Sequence, residues 1–402
     1  MCESNKIICI QKKPEDRAKM FFGDYDGFIR TETVHFPIFQ ELAEASESNT
    51  WFVNEINYDA DIVGWSEMPP HAQSKFEKNI SYQNLMDSGV VKLFGRLAEI
   101  ANIPELQYLY NRINTEENIH AKSYSNGISL VFGADAERVL DIAYTDEVIQ
   151  MRVKDEVDGS EKLFDLYFGG KLNQIKKKLK NISVTNSVQT MKDIKEIAFG
   201  EYERSEEELD ELKMALLQVI GAVYMLEGIK FPFSFFVTWT LNKAYGNCIQ
   251  GFSRALKLIA WDEMTVHTST GVNVINILRK DKSQGFTHLF KEYDVWLRNY
   301  AKTVSEKEFD WNDYLLIDGE TPGYNKEIGR HFIKYWTDKR LRDIKLEVIY
   351  KEEKSDIIDG YNKLRDLNST TSALQEADAT NYQKGKLKDD LDRFKDFKGF
   401  SF

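Results

Sequence analysis

The chain has 402 residues, 42 % of them hydrophobic and 13 % aromatic, enough apolar material for a large domain with a substantial core. A formal net charge of -12 argues against nucleic-acid binding, which needs a basic face, and no run of 18 apolar residues is there to cross a membrane, so neither partner is expected. Glycine and proline number only 23 and 7, which favours long helices over a turn-rich β architecture.

Residues 1–20 are polar and read as an N-terminal arm. The opening M-C-E-S-N-K-I-I-C-I-Q-K-K has no apolar core of signal-peptide length. Cys2, Cys9 and Cys248 are an odd set without C-x-x-C, which fits a reducing, cytoplasmic setting. A helical domain is expected over 21–350. Helical spacing begins near residue 36 in F-P-I-F-Q-E-L-A-E-A and continues over 70–96, and Pro104 is placed to open the next helix. Residues 134–200 are amphipathic and charged, with breaks expected at D-G and G-G. Residues 205–245 form a long apolar helix, 250–280 another, and two or three more run to about 350. Residues 351–402 read as a flexible tail. Its last 35 or so are polar and dotted with single aromatics, too poor in aliphatics to offset the entropy of ordering.

Acids inside apolar helices carry the chemistry. In E-E-N-I-H-A-K-S-Y, the residues Glu117, His120 and Tyr124 are three, four and seven steps apart and share one helix face, and the surrounding Ile113, Ile119, Ile128 and Leu130 suggest that this face turns inward. Asp87 lies in Y-Q-N-L-M-D-S-G-V-V, Glu227 in the almost uniformly apolar V-Y-M-L-E-G-I-K-F, and Glu263 and His267 in W-D-E-M-T-V-H. Singly, each acid has an ordinary reading as a solvated side chain. Together they are four carboxylates and two histidines from four helices, the donor set of a dinuclear carboxylate site in a ferritin-like bundle, with an aspartate in place of one glutamate. Bridging carboxylates neutralise two metal ions, and one imidazole per ion adds a neutral ligand. The same ligand types suit Fe/Fe, Mn/Fe and Mn/Mn pairs.

These residues resemble the radical-generating small subunit of class I ribonucleotide reductase. The resemblance runs from about residue 20 to 345 and includes the tail. It is carried by E-N-I-H-A-K-S-Y, L-E-G-I-K-F-P-F-S-F, I-A-W-D-E, and D-W-N-D-Y-L-L-I-D-G followed by G-Y-N-K. It implies an all-α, ferritin-like bundle with additional helices. It further implies that Asp87, Glu117 and His120 hold one iron and Glu227, Glu263 and His267 the other. Dioxygen would react there, and Tyr124 would hold a stable tyrosyl radical, walled by Phe231, Phe235 and Ile259. The oxidising equivalent would pass through His120, Asp262 and Trp51, and through Tyr382 in the tail, to a large catalytic subunit that makes deoxyribonucleotides for DNA replication. The tail would dock that subunit, and the chain would be a homodimer. Two rivals use similar parts: a di-iron oxidase or desaturase, which needs no radical tyrosine, and an iron-storage bundle, which needs neither Trp51 nor an aromatic tail.

Three departures from the family pattern bear on geometry. The second histidine motif is E-(x)3-H rather than E-x-x-H, so Glu263 and His267 either share a face at four residues' spacing or sit on a π-bulge. Pro232 falls inside an apolar helix, where it removes a donor and crowds the carbonyl of Gly228, so a kink or unwound turn is expected beside Glu227. Trp261 stands where arginine is frequent, without an evident reason.

Overall fold

A computed structural model of the chain describes residues 19–23, 29, 33–180 (backbone alone over 171–180) and 204–367. Among them there are helices and two isolated antiparallel bridges, Phe21 with Ala101 and Thr321 with Tyr324, but no strand. In chain order the helices are α1 (Pro37–Ser48), α2 (Asp59–Glu67), α3 (Pro70–Ile100), α4 (Pro104–Phe132), α5 (Ala136–Thr145), α6 (Glu147–Lys180), α7 (Glu206–Met225), α8 (Phe231–Ala244), α9 (Gln250–Trp261), α10 (Thr268–Lys280), α11 (Phe290–Leu315), α12 (Lys326–Asp343) and α13 (Asp356–Arg365). Two wide π turns interrupt the series, Leu226–Lys230 between α7 and α8 and Asp262–His267 between α9 and α10. The architecture is thus the all-α bundle expected.

Four segments make the centre. α3 and α4 pack along their length, the α7–π–α8 segment lies against α3 and α10, and the α9–π–α10 segment closes the bundle against α4. Within α7–π–α8, Glu206–Ala244 contains an 18-residue window of mean hydropathy 1.5, long and apolar enough to cross a membrane, but 83 % of that window is buried inside the protein. It is the core helix of the bundle, and its apolarity reflects burial on all sides.

The local sequence explains most boundaries. Pro70 and Pro104 stand in the first turns of α3 and α4, where a missing N–H costs nothing. α7 opens on a capping box in which Ser205 Oγ accepts from the Glu208 N–H and the Glu208 carboxylate accepts from the Ser205 N–H.

Other boundaries correct the sequence reading. α6 runs unbroken through both Asp158–Gly159 and Gly169–Gly170. The break falls at Asp146, whose Oδ1 accepts from the N–H groups of Val148 and Ile149 and so caps α6. The arm does not extend to residue 20, since Met20 is fully buried and its N–H donates to Gln284 Oε1. The tail does not start at 351 either. α13 packs on α9 and α12, with Ile358 and Tyr361 buried, and the Tyr361 ring is set between Trp239, Phe332 and Trp336. Leu130 is half exposed rather than core, while Ile113 and Ile128 are fully buried.

The π turn at 226–230 answers Pro232. In an α-helix the N–H of residue 232 would return to the carbonyl of Gly228, and proline has none. Arg340 Nε of α12 donates to that carbonyl instead, at 3.2 Å. The approach requires glycine, because a Cβ at 228 would lie 2.5 Å from Arg340 Cδ. The last residue of the turn is pinned as well. Lys230 Nζ, fully buried, donates to the Arg152 carbonyl (2.7 Å) and to Glu156 Oε1 (2.6 Å). Arg152 in turn forms a two-pronged pair with Glu308, both contacts 2.6 Å, and lies over the ring of Tyr82.

Candidate metal centre

The six residues proposed as ligands converge. Asp87, Glu117, Glu227 and Glu263 have no solvent exposure, nor does His120, and His267 is 3 % exposed. Their donor atoms form two overlapping groups, each within 4.8 Å: Asp87, Glu117, His120 and Glu263 in one, Glu117, Glu227, Glu263 and His267 in the other. Glu117 and Glu263 belong to both. Two ions held here would share them, with Asp87 and Glu227 each belonging to one group.

The charge balance of this cavity calls for cations. Both carboxylate oxygens of Asp87, Glu117 and Glu227, together with Glu263 Oε1 and His120 Nδ1, are buried without a properly formed hydrogen bond. His120 Nδ1 faces Glu263 (3.2 Å), Glu117 (3.5 Å) and Asp87 (3.8 Å), and one ring nitrogen cannot serve three carboxylates. His267 Nδ1 likewise faces Glu263 (2.9 Å), Glu117 (3.2 Å) and Glu227 (3.8 Å). Four buried carboxylates against two imidazoles would leave uncompensated charge, which is very costly. Two divalent metal ions fit the donor set, and the donors are the oxygen and imidazole types that iron and manganese take. Without them, burial, followed by the charge of Glu117, drives the Asp87 carboxyl well above its ordinary range. Burial lowers both histidines, but the surrounding carboxylates outweigh it and hold them well above theirs.

The π turn at 262–267 decides how E-(x)3-H works. The extra residue widens one turn, so Glu263 and His267 project to the same side and Glu263 Oε2 lies 2.9 Å from His267 Nδ1. Thr268 Oγ1 donates to the Glu263 carbonyl at 2.6 Å, supporting the widened turn.

On the far edge of His120, Nε2 donates to Asp262 Oδ2 at 3.1 Å, and the same oxygen accepts from Trp51 Nε1–H at 2.9 Å. The Trp51 and His120 rings stack with centroids 6.0 Å apart and planes 16° off parallel. Because Asp262 takes the Nε2–H, the neutral ring would turn its Nδ1 lone pair toward the carboxylates.

Tyr124 is 1 % exposed, and its hydroxyl has no hydrogen-bond partner among the described residues. Burial first, then the charges of Asp87, Glu263 and Glu117, hold that hydroxyl protonated far above the ordinary tyrosine range. Phe231, Phe235 and Ile259 are fully buried in the same core, and the two phenylalanine rings stack at 5.9 Å. One turn along α4, Gly127 admits Tyr58 and Phe252, since a Cβ there would lie 2.7 Å from each ring. Trp261 is partly buried and shares a 350 Å³ surface cavity with Thr265, Asn362, Arg365, Asp366 and Leu367. Tyr382 lies outside the described residues.

Sequence reasoning missed Glu116. It is 3 % exposed, and its Oε2 accepts from His267 Nε2 at 3.0 Å. The signal was the doublet Glu116–Glu117: position 116 is four residues from His120 and borders the same stripe. It also missed Arg340 and Lys230, whose partners lie 112 and 78 residues away in sequence.

A family model described as ribonucleotide reductase, small chain, matches residues 29–158 and 161–356. The chain is similar to the ribonucleoside-diphosphate reductase 1 subunit beta of Escherichia coli O157:H7, with 25 % identity over 393 residues and 95 % of each chain covered. Among solved structures it is similar to the ribonucleotide reductase R2 subunit from Clostridium botulinum, with a TM-score of 0.67, 23 % identity, and 85 % of this chain and 93 % of that one covered. It is also similar to the dimanganese(II)-NrdF of Streptococcus sanguinis, with a TM-score of 0.59, 16 % identity, and coverage of 85 % and 99 %. All four segments that carry the acids and histidines fall inside the matched residues, and on that extent of agreement the chain belongs to the ribonucleotide reductase small-chain family.

Proposed function

We propose that this chain generates and stores a tyrosyl radical for a large catalytic subunit that reduces ribonucleoside diphosphates. Asp87, Glu117 and His120 would hold one metal ion and Glu227, Glu263 and His267 the other, with iron the first expectation and manganese suited to the same donors. Once bound, such a metal pair supplies, with dioxygen, the oxidising power to take one electron from Tyr124. The rest falls to the protein's own groups. Phe231, Phe235 and Ile259 keep water and reductants from the ring. Asp262 fixes the tautomer of His120 and ties it to Trp51, which gives the oxidising equivalent a hydrogen-bonded route toward the surface. Tyr382 and the C-terminal segment would complete that route and dock the large subunit, in a cytoplasmic homodimer.

What carries the reading is the combination in one core of a fully buried Tyr124 with a Trp51–Asp262–His120 chain leading away from the carboxylate cluster. A storage bundle or an oxidase has no use for that chain. The test is to load the protein with ferrous iron under oxygen, count iron, and record a low-temperature EPR spectrum for the wild type and Tyr124→Phe. Two irons per chain in both, with a tyrosyl signal only in the wild type, is the expected result. An unchanged signal in Tyr124→Phe would place the radical elsewhere.

A further inference from the structure

Glu116 stands to His267 as Asp262 stands to His120. Each histidine turns Nδ1 toward the carboxylate cluster and gives Nε2–H to an outer carboxylate: His120 to Asp262 at 3.1 Å, His267 to Glu116 at 3.0 Å. The arrangement is crossed. Glu116 and His120 are on α4, while Asp262 and His267 are on the π turn, so each segment supplies the acid that orients the other's histidine. Each outer acid also immediately precedes a shared cluster acid, Glu116 before Glu117 and Asp262 before Glu263.

Glu116 is itself held. Ser46 Oγ of α1 donates to its Oε1, and Arg112, one turn back on α4, lies 3.9 Å from the same oxygen. Arg112 Nε donates to Ser46 Oγ at 3.1 Å and its Nη2 to Thr50 Oγ1 at 2.9 Å. Thr50 precedes Trp51. Thus the acid on His267 is tied through α1 to the residue that meets the acid on His120.

We propose that Glu116 is a positioning residue for the second metal position: it fixes the Nε2–H tautomer of His267 so that the Nδ1 lone pair faces Glu117, Glu227 and Glu263. The inference rests on the reading of the cluster as a dinuclear metal site. Carboxylates in this relation to a ligand histidine typically contribute 10–100-fold to metal affinity. Glu116→Met keeps length and packing but offers no useful acceptor; Glu116→Gln keeps an oxygen acceptor without the charge.

The test is anaerobic titration of the full-length chain with Co(II), following stoichiometry, affinity and the visible absorption of the bound ion, with circular dichroism as the check on folding. Wild type is expected to take two Co(II) per chain. Glu116→Met should weaken one of the two by more than 10-fold and alter its absorption, leaving the other unchanged. Glu116→Gln should fall between the two proteins. In a His267→Ala background, Glu116→Met should add nothing. Wild-type affinity for both ions in either single variant would overturn the proposal, as would an undiminished effect of Glu116→Met in the His267→Ala background. Failure of the wild type to bind two ions would instead overturn the dinuclear reading.

Discussion

Trp51 and Asp262, 211 residues apart in sequence, share a buried 2.9 Å hydrogen bond, the indole N–H donating to the carboxylate. Asp262 Oδ2 therefore receives two N–H groups, one from the tryptophan and one from His120. Asp262→Asn can keep an oxygen where the two donors converge but removes the carboxylate charge, which weakens both hydrogen bonds. We expect Trp51→Phe to keep metal content and the Tyr124 radical while activity with the large subunit falls by at least 100-fold. Asp262→Asn should lower metal affinity as well, by about 10-fold or more. Iron counting, EPR and reductase assays on the same preparations separate these outcomes. Undiminished turnover in Trp51→Phe would remove Trp51 from the route.

Gly228 is the second test, and it concerns geometry rather than a ligand. An added methyl would lie 2.5 Å from Arg340 Cδ and 2.9 Å from its Cγ, so the arginine stem or the π turn must move. Overpacking of this kind costs about 1–3 kcal/mol. Because Glu227 is the neighbouring residue, Gly228→Ala should both lower the melting temperature and weaken the metal position that Glu227 is proposed to serve. Unaltered metal affinity with reduced stability would show that the turn's register tolerates displacement of Arg340.

Metal removal should make stability strongly pH-dependent. In the metal-free protein His120 and His267 are held well above their ordinary pKa by neighbouring carboxylates, and burial does the same for Asp87. A raised folded-state pKa means that the folded chain binds more protons than the unfolded one, so stability is present below the unfolded value and is lost as pH rises through the folded value. Glu117, held below its ordinary value by the histidines against the effect of burial, acts in the opposite sense, but below about pH 4.5, the ordinary glutamate range. Between about pH 6 and 8 the metal-free protein should therefore lose stability, whereas bound ions replace the protons. The gap in melting temperature between loaded and metal-free protein should widen from pH 6 to pH 8. A gap that narrows would contradict the charge assignment.

The segment beyond residue 367 is tested by truncation. Removal of residues 383–402 should leave metal content and the Tyr124 radical intact and abolish both binding of the large subunit and activity, while Tyr382→Phe should keep binding and lose activity. Full-affinity binding by the truncated chain would exclude the segment from docking.

Much of this site was legible because helical periodicity is a local property: the spacing of Glu117, His120 and Tyr124 puts them on one face wherever the helix lies. The π turn at 262–267 was legible for the same reason, as one residue too many between an acid and its histidine. What sequence could not show were interactions closed by the fold. Nothing in G-I-K-F-P says that Arg340 will take the Gly228 carbonyl, or that Lys230 will pair with Glu156 of α6. The Gly–Gly and Asp–Gly steps in α6 misled because glycine costs a helix only about 1 kcal/mol each, which packing can offset. α13 was hidden because it is short and fully buries just Ile358 and Tyr361, with Ile357 and Leu364 partly buried beside them.

The two π turns divide the cluster mechanically. Asp87, Glu117 and His120 stand on uninterrupted α-helices, whereas Glu227, Glu263 and His267 all stand on widened turns. A widened turn gives up the regular α-helical bonding pattern and depends on outside braces, here Arg340 and Lys230 for one and Thr268 for the other. One half of the site is therefore a stiff anvil and the other a compliant jaw. Changes in ion size or charge would be taken up mainly by Glu227 and Glu263, and through Glu263, 3.2 Å from His120 Nδ1, they would be felt in the stiff half as well.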